Sequence, residues 1–152
     1  MAALKDWIRA DLTASMKVRD VVRTRTLRMV LTEISKEEVA GSASRELDDA
    51  EVRRLLAREA RRRREAAEAF RDAGRSVQAA AEIAEGAVLA EYLPAQLDDA
   101  GLTALVAAAI ADTGAAGPGA MGQVMEAVTP KVAGRAEGAR VAAEVRRQLA
   151  AG

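Results

Sequence analysis

The 152-residue chain contains no cysteine and no histidine, and its aromatic side chains are one Trp, one Tyr and one Phe. Without cysteine there is no disulfide scaffold and no thiol nucleophile, and without either residue there is no Cys/His zinc site. Without histidine there is no imidazole triad and no haem held through an imidazole. Metal binding is left to carboxylates alone, a weaker prospect, so neither a metal nor a cofactor is expected. Long apolar runs are missing too. The longest uncharged stretch with helical promise, residues 100–111, has 12 residues, whereas crossing a bilayer takes about 20. The opening residues MAALKDWIRADL meet Lys5, Asp6 and Arg9 too early to hold a signal-peptide core. The expected location is therefore cytoplasmic, with no membrane partner.

What is present points to helix. Half of the residues are hydrophobic and 37 are Ala, so fewer large side chains fill the core than the total implies. Much Ala, Leu, Glu and Arg with few aromatics is a helical composition. Twenty-three basic residues balance 23 acidic ones, so no global field draws the chain onto nucleic acid. The average conceals a pattern. Residues 53–75 hold nine Arg against four acids, a surplus of five positive charges. Residues 93–126 hold four acids and no base, and residues 127–152 hold five bases against two acids.

Apolar spacing at Leu4, Trp7, Ile8, Leu12 and Met16 predicts a first helix, broken by residues 17–20. The pattern resumes through Val21, Val22, Leu27, Val30, Leu31, Ile34 and Val39 and stops at a Gly/Ser loop at 41–44. Asp48 then reads as an N-cap, Glu51 as its capping-box partner, and Leu47 with Val52 as a hydrophobic staple. The stripe Val52, Leu55, Leu56, Ala60, Ala67 and Phe70 follows, with Gly74 as the left-handed stop. Ser76 reads as the cap of a helix carrying Val77, Ala80, Ala84, Val88 and Tyr92, ended by Pro94. A shift in composition there divides an N-terminal helical part, residues 1–94, from a compact part of three helices, residues 95–152. In the second part Asp98 opens a helix through Leu102, Leu105, Val106, Ala109 and Ile110 to Gly114. Met121, Val124, Met125 and Val128 mark the next, which Pro130 is expected to terminate, and Val141, Val145 and Leu149 the last. No segment alternates with period two, so the predicted fold class is all-α, in two helical subdomains.

Four features could carry chemistry. Residues 117–122 match G-x-G-x-x-G, but a dinucleotide site needs a strand before it, and a flexible loop is the better reading. The pairs Asp48-Asp49 and Asp98-Asp99 stand at helix starts, where capping accounts for them. The run Arg61-Arg62-Arg63-Arg64 sweeps around its helix. Pairs such as Arg61–Glu65 and Arg64–Glu68 favour a solvated, salt-bridged face, with a phosphate-binding ridge along Arg54, Arg58 and Arg62 as the alternative. Finally, residues 130–138 place Lys131 and Arg135 beside Gly134 and Gly138, just before a helix whose first amides can hold a phosphate. Spacing alone leaves that site and an ordinary helix-to-helix turn equally open.

Nearly the whole chain resembles the GatB/YqeY family. The likeness rests on Leu27-Arg28-Met29, Glu33-Ile34, Arg58-Glu59 and the Arg/Glu-rich helix to Phe70, with Gly74-Arg75. It is strongest from Val88-Leu89 through Tyr92-Leu93-Pro94-x-Gln96-Leu97. Met121-Gly122-x-Val124-Met125, Pro130 and Gly134-Arg135-Ala136-Glu137-Gly138 complete it. One departure is Glu137, where the family pattern has Asp; the longer side chain caps a helix less well.

The resemblance implies a helical protein whose C-terminal part is similar to the tail domain of the B subunit of glutamine-dependent aminoacyl-tRNA amidotransferase, which helps hold tRNA. The catalytic parts of that enzyme, including its Ser–Ser–Lys machinery, have no counterpart in this sequence. The leading expectation is therefore a stand-alone tRNA-binding module associated with an amidotransferase or synthetase, with no catalytic residues. Its phosphate contacts would be Lys131, Gly134, Arg135, Gly138 and Arg140, with Arg54, Arg58 and Arg62 as a secondary basic face. An adaptor docking on a translation enzyme through Ala- and Met-bearing faces, Met121 and Met125 among them, is the alternative. A carbon–nitrogen ligase in its own right is the third reading.

Overall fold

A computed structural model describes residues 3–152, and among them it contains seven α-helices and no strand. The chain divides into two compact units, Met1–Leu93 and Pro94–Gly152.

The first unit is built from α1 (Ala3–Lys17), α2 (Val21–Glu38), α3 (Asp49–Asp72) and α4 (Ser76–Ala90). The start of α3 follows from local chemistry: Asp48 accepts from the Glu51 amide at 2.8 Å and Glu51 accepts from the Asp48 amide at 2.9 Å. Leu47 and Val52 are both buried, which closes the staple. At the other end Gly74 takes φ +73°, with the Arg75 amide bonded to Phe70 O and the Gly74 amide to Arg71 O. Those two bonds are the Schellman pattern that needs a left-handed residue. Helix α1 ends on the same pattern, Asp20 to Ser15 and Arg19 to Met16, but Arg19 rather than glycine occupies the left-handed position at φ +57°.

The core of this unit joins Leu4 and Ile8 of α1, Leu27, Val30 and Ile34 of α2, Val52, Leu55 and Leu56 of α3, and Val88 and Leu89 of α4. Several expected stripes are shifted. Val21 and Val39 are exposed, and α4 turns Ala79 inward while Val77, 79% exposed, faces out with Ala80 and Ala84. An Ala-rich helix has little contrast between faces, so spacing alone selects the wrong one. Ser76 is the first residue of α4 and caps nothing; Arg75 holds the cap position. Tyr92 lies beyond the helix, buried, with its hydroxyl donating to Asp11 and its ring edge-on to Trp7 at 4.8 Å.

Charge is buried here too. Glu59 is 3% exposed and accepts from Arg62 at 3.0 Å and Arg63 at 2.8 Å. Arg63 is largely buried, with its Nε 3.5 Å from Glu85, which pairs in turn with Arg25 of α2 at 3.1 Å. Of the four consecutive arginines, Arg63 is thus a tie between α3 and α4, not part of a solvated face. Lys5 of α1 meets Glu38 of α2 at 2.8 Å, and Glu38 also accepts from the Leu47 amide at 3.0 Å.

The second unit contains α5 (Asp99–Thr113), a 3-10 turn (Pro118–Ala120), α6 (Met121–Val132) and α7 (Gly138–Ala151). Asp98 caps α5 by accepting from the Gly101 amide at 2.7 Å. Gly101 fits because a Cβ there would stand 3.0 Å from that same carboxylate and 3.3 Å from Leu97. Six valines supply most of the core: Val106 of α5, Val124, Val128 and Val132 of α6, and Val141 and Val145 of α7, with Leu102 and Leu149. Pro130 does not end α6. It sits in the last turn, and the helix continues to Val132, stopping where Ala133 and Gly134 are both left-handed. Met121 and Met125 are partly buried and packed against this core rather than presented outward. No single helix among the described residues is long and apolar enough to cross a membrane.

Candidate nucleic-acid interface

The loop between α6 and α7 brings most of the expected cluster together, and uses it internally. Arg135 donates from Nε to Ala95 O at 3.1 Å, while its own carbonyl accepts from the Leu97 amide at 2.8 Å. Gln96 donates from its amide nitrogen to Gly134 O at 3.3 Å. Arg140, in the first turn of α7, donates from Nη1 to Leu97 O and from Nη2 to Asp99 Oδ1, both at 2.7 Å. Residues 134–140 and 95–99 are therefore one hydrogen-bonded unit. Two of the stretches on which the family resemblance rests, around Pro94-x-Gln96-Leu97 and Gly134-Arg135, meet in that unit. Spacing could not find this, because the partners lie about forty residues apart in sequence.

Lys131 points elsewhere. It is half-exposed in the last turn of α6 and pairs with Asp112 of α5 at 3.3 Å. Gly134 is required by its φ of +79°. Gly138 is not: no atom lies within 4 Å of an added Cβ, and its φ is not left-handed. Glu137 stands at the N-cap of α7 with extended backbone, but its side chain makes no cap hydrogen bond. Further along α7, Glu144 accepts from Arg147 at 2.6 Å, Gln148 at 2.8 Å and Thr103 at 3.1 Å, and these donors hold its carboxyl at about 2.

The second basic face differs. In residues 53–64 of α3 there are seven arginines and one carboxylate, the buried Glu59. Arg53, Arg54, Arg58, Arg61, Arg62 and Arg64 are exposed. Arg58 pairs with Glu37 of α2, and Arg61 with Glu65 at 3.6 Å. Exposed pairs of this kind contribute about 0–1 kcal/mol each, so their guanidinium groups can exchange a carboxylate for a phosphate at little cost. The nearby Glu33 is held below the usual carboxylate range by Lys36 foremost, with Arg62 and Arg58 adding to the field.

The remaining motifs are structural. Asp48 caps α3, and Asp49 accepts from the Leu4 amide at the start of α1 at 3.0 Å. Asp98 caps α5 and Asp99 holds Arg140. Residues 117–122 form the turn into α6, with no strand beside them among the described residues. No group of three or more carboxylates there is placed to hold a metal ion.

No curated protein matches the sequence. A family match does exist, to the family described as Yqey-like protein, and it extends over residues 5–149. With that match spanning both helical units, the chain belongs to the Yqey-like protein family.

Proposed function

We propose that the protein is a non-catalytic RNA-binding module that serves tRNA-handling enzymes such as an amidotransferase or a synthetase, holding folded RNA of the tRNA class by its phosphates. The observation that carries this reading is the exposure of six arginines over residues 53–64 of α3, a stretch whose one carboxylate is buried. Guanidinium groups arrayed along a helix suit phosphate oxygens, which position RNA without reading its sequence. Folded RNA is recognised largely by shape, so three aromatic side chains are no obstacle. Arg54, Arg58 and Arg62 form the central contact row, with Arg53 and Arg61 beside them. Lys131, on the second unit, is a separate phosphate contact, whereas Arg135 and Arg140 position the segment around Leu97. The association with tRNA enzymes is supported by the family resemblance of the C-terminal unit.

Fluorescence anisotropy with labelled bulk tRNA over a range of salt concentrations tests the reading. Several phosphate contacts predict log affinity falling linearly with log salt, with a slope of roughly one per contact. Absence of binding at low salt, or binding indifferent to salt, overturns it.

A further inference from the structure

Where α1 ends and α2 begins, a groove of about 510 Å³ is lined by Met16, Arg19, Val21, Thr24, Arg25 and Arg28. We propose that this groove docks an acidic, amphipathic peptide segment of a partner protein. It uses residues other than those of the α3 face, so the two readings stand or fall separately.

The apolar half of the argument is exposure. Met16 is 42% exposed, Val21 69%, and Val18 on the connecting turn 76%, in a chain with few large hydrophobic side chains to spare. The charged half is an inventory of partners. Arg25 is paired with Glu85. Among the described residues neither Arg19 nor Arg28 has a carboxylate partner; Arg28 lies against Met16 Sδ at 3.1 Å, a weak acceptor. The neighbouring Asp20 is already engaged, accepting from the Arg23 amide at 3.0 Å as the cap of α2 and lying 3.7 Å from Arg23 Nε. Two cations without carboxylate partners therefore border an apolar floor.

The backbone adds to this. Arg19 holds the left-handed stop of α1, where glycine relieves strain and arginine does not. The turn thereby carries a guanidinium where local folding would choose no side chain.

The combination selects a protein segment over RNA. Phosphates would use the cations but gain nothing from Met16 and Val21, and the groove has no aromatic face on which a base could stack. An acidic amphipathic helix uses both halves: its carboxylates meet Arg19 and Arg28, and its apolar anchors settle on Met16, a side chain adaptable in shape, and Val21.

The test is a selection of displayed random peptides of about twelve residues on the full chain, followed by anisotropy with the selected peptides. The expected pool is enriched in Asp and Glu flanking apolar anchors at helical spacing. Its binding should fall roughly tenfold in an Arg19→Gly/Arg28→Gln variant, and again in Val21→Ser. Arg19→Gly suits the left-handed backbone, and helicity and melting measured alongside confirm that the variants are folded; Arg28→Glu serves as a second charge variant. The proposal is overturned if no binder emerges, if the pool lacks acidic residues, or if the selected peptides bind the variants as tightly as the parent. It is equally overturned if tRNA, and not the peptides, loses affinity in these variants.

Discussion

The arginines of the loop between α6 and α7 and those on the outer face of α3 differ in where their guanidinium groups end. Arg135 and Arg140 finish on the chain's own oxygens: Ala95 O, Leu97 O and the Asp99 carboxylate. Those bonds close residues 95–99 onto the start of α7. On α3, by contrast, Arg53 and Arg54 are exposed, and Arg58 and Arg61 make only surface pairs. Arg63 turns inward, to Glu59 and Glu85, while Arg62 keeps an exposed side chain that reaches the same buried Glu59 at 3.0 Å. Positive charge in a sequence thus separates into two physical roles. Bonded to carbonyls within its own fold, a guanidinium stabilises; facing water beside exchangeable carboxylates, it is available to a phosphate.

The largest effect that sharpens this contrast is expected at Glu59. Glu59→Ala leaves Arg63 largely buried without its main partner and should cost about 3 kcal/mol in urea unfolding, whereas adding Arg63→Leu should restore part of the loss. Full additivity of the two changes would break the claim that they act as a pair.

Next comes Arg140→Ala, which strips Leu97 O and Asp99 of their donor and should cost about 2 kcal/mol. Arg54→Ala, on the exposed side of α3, should shift stability by less than about 0.5 kcal/mol. Equal losses at the two positions in chemical denaturation would erase the distinction between bonded and available arginines.

The smallest effect is with acid, and here the two units should behave alike. The Glu51 carboxyl is held at about 2 by Arg45 foremost and by the Asp48 amide, and that of Glu144 at about 2 by Arg147 and Gln148. Both lie below the ordinary value of 4.5, so the unfolded chain binds these protons first. The stability they contribute is complete above pH 4.5 and is lost as pH falls towards 2. Substituting either with Gln should flatten that part of a pH–stability profile; an unchanged profile would contradict the assignment.

Local chemistry was legible in the sequence where its partners are neighbours. Asp48 with Glu51, Gly74, Asp98 and Gly114 all act as read, because a cap or a left-handed stop involves residues within one turn. What was not legible depends on distant partners or on weak contrast. Arg135 and Arg140 read as a phosphate cluster because Ala95, Leu97 and Asp99 come from across the unit. Arg63 read as solvated because Glu85 lies on another helix. Alanine populates both sides of α4, so apolar spacing does not distinguish its buried face. Pro130 read as a stop, yet in a last turn its missing donor removes a single helix bond and the helix continues. The groove at Arg19 gave no signal at all, since an arginine in a left-handed stop looks like any other arginine in the sequence.

The central claim is that the exposed arginines of α3, and not the bonded ones of the loop, hold RNA. Its most direct test compares Arg54→Gln/Arg58→Gln/Arg62→Gln with Lys131→Gln/Arg135→Gln in salt-dependent binding of labelled tRNA. The account predicts that the α3 variant loses about tenfold or more in affinity, with a salt slope reduced by two to three, while the loop variant changes slope by about one at most. A loop variant that abolishes binding while the α3 variant binds as the parent does would contradict it.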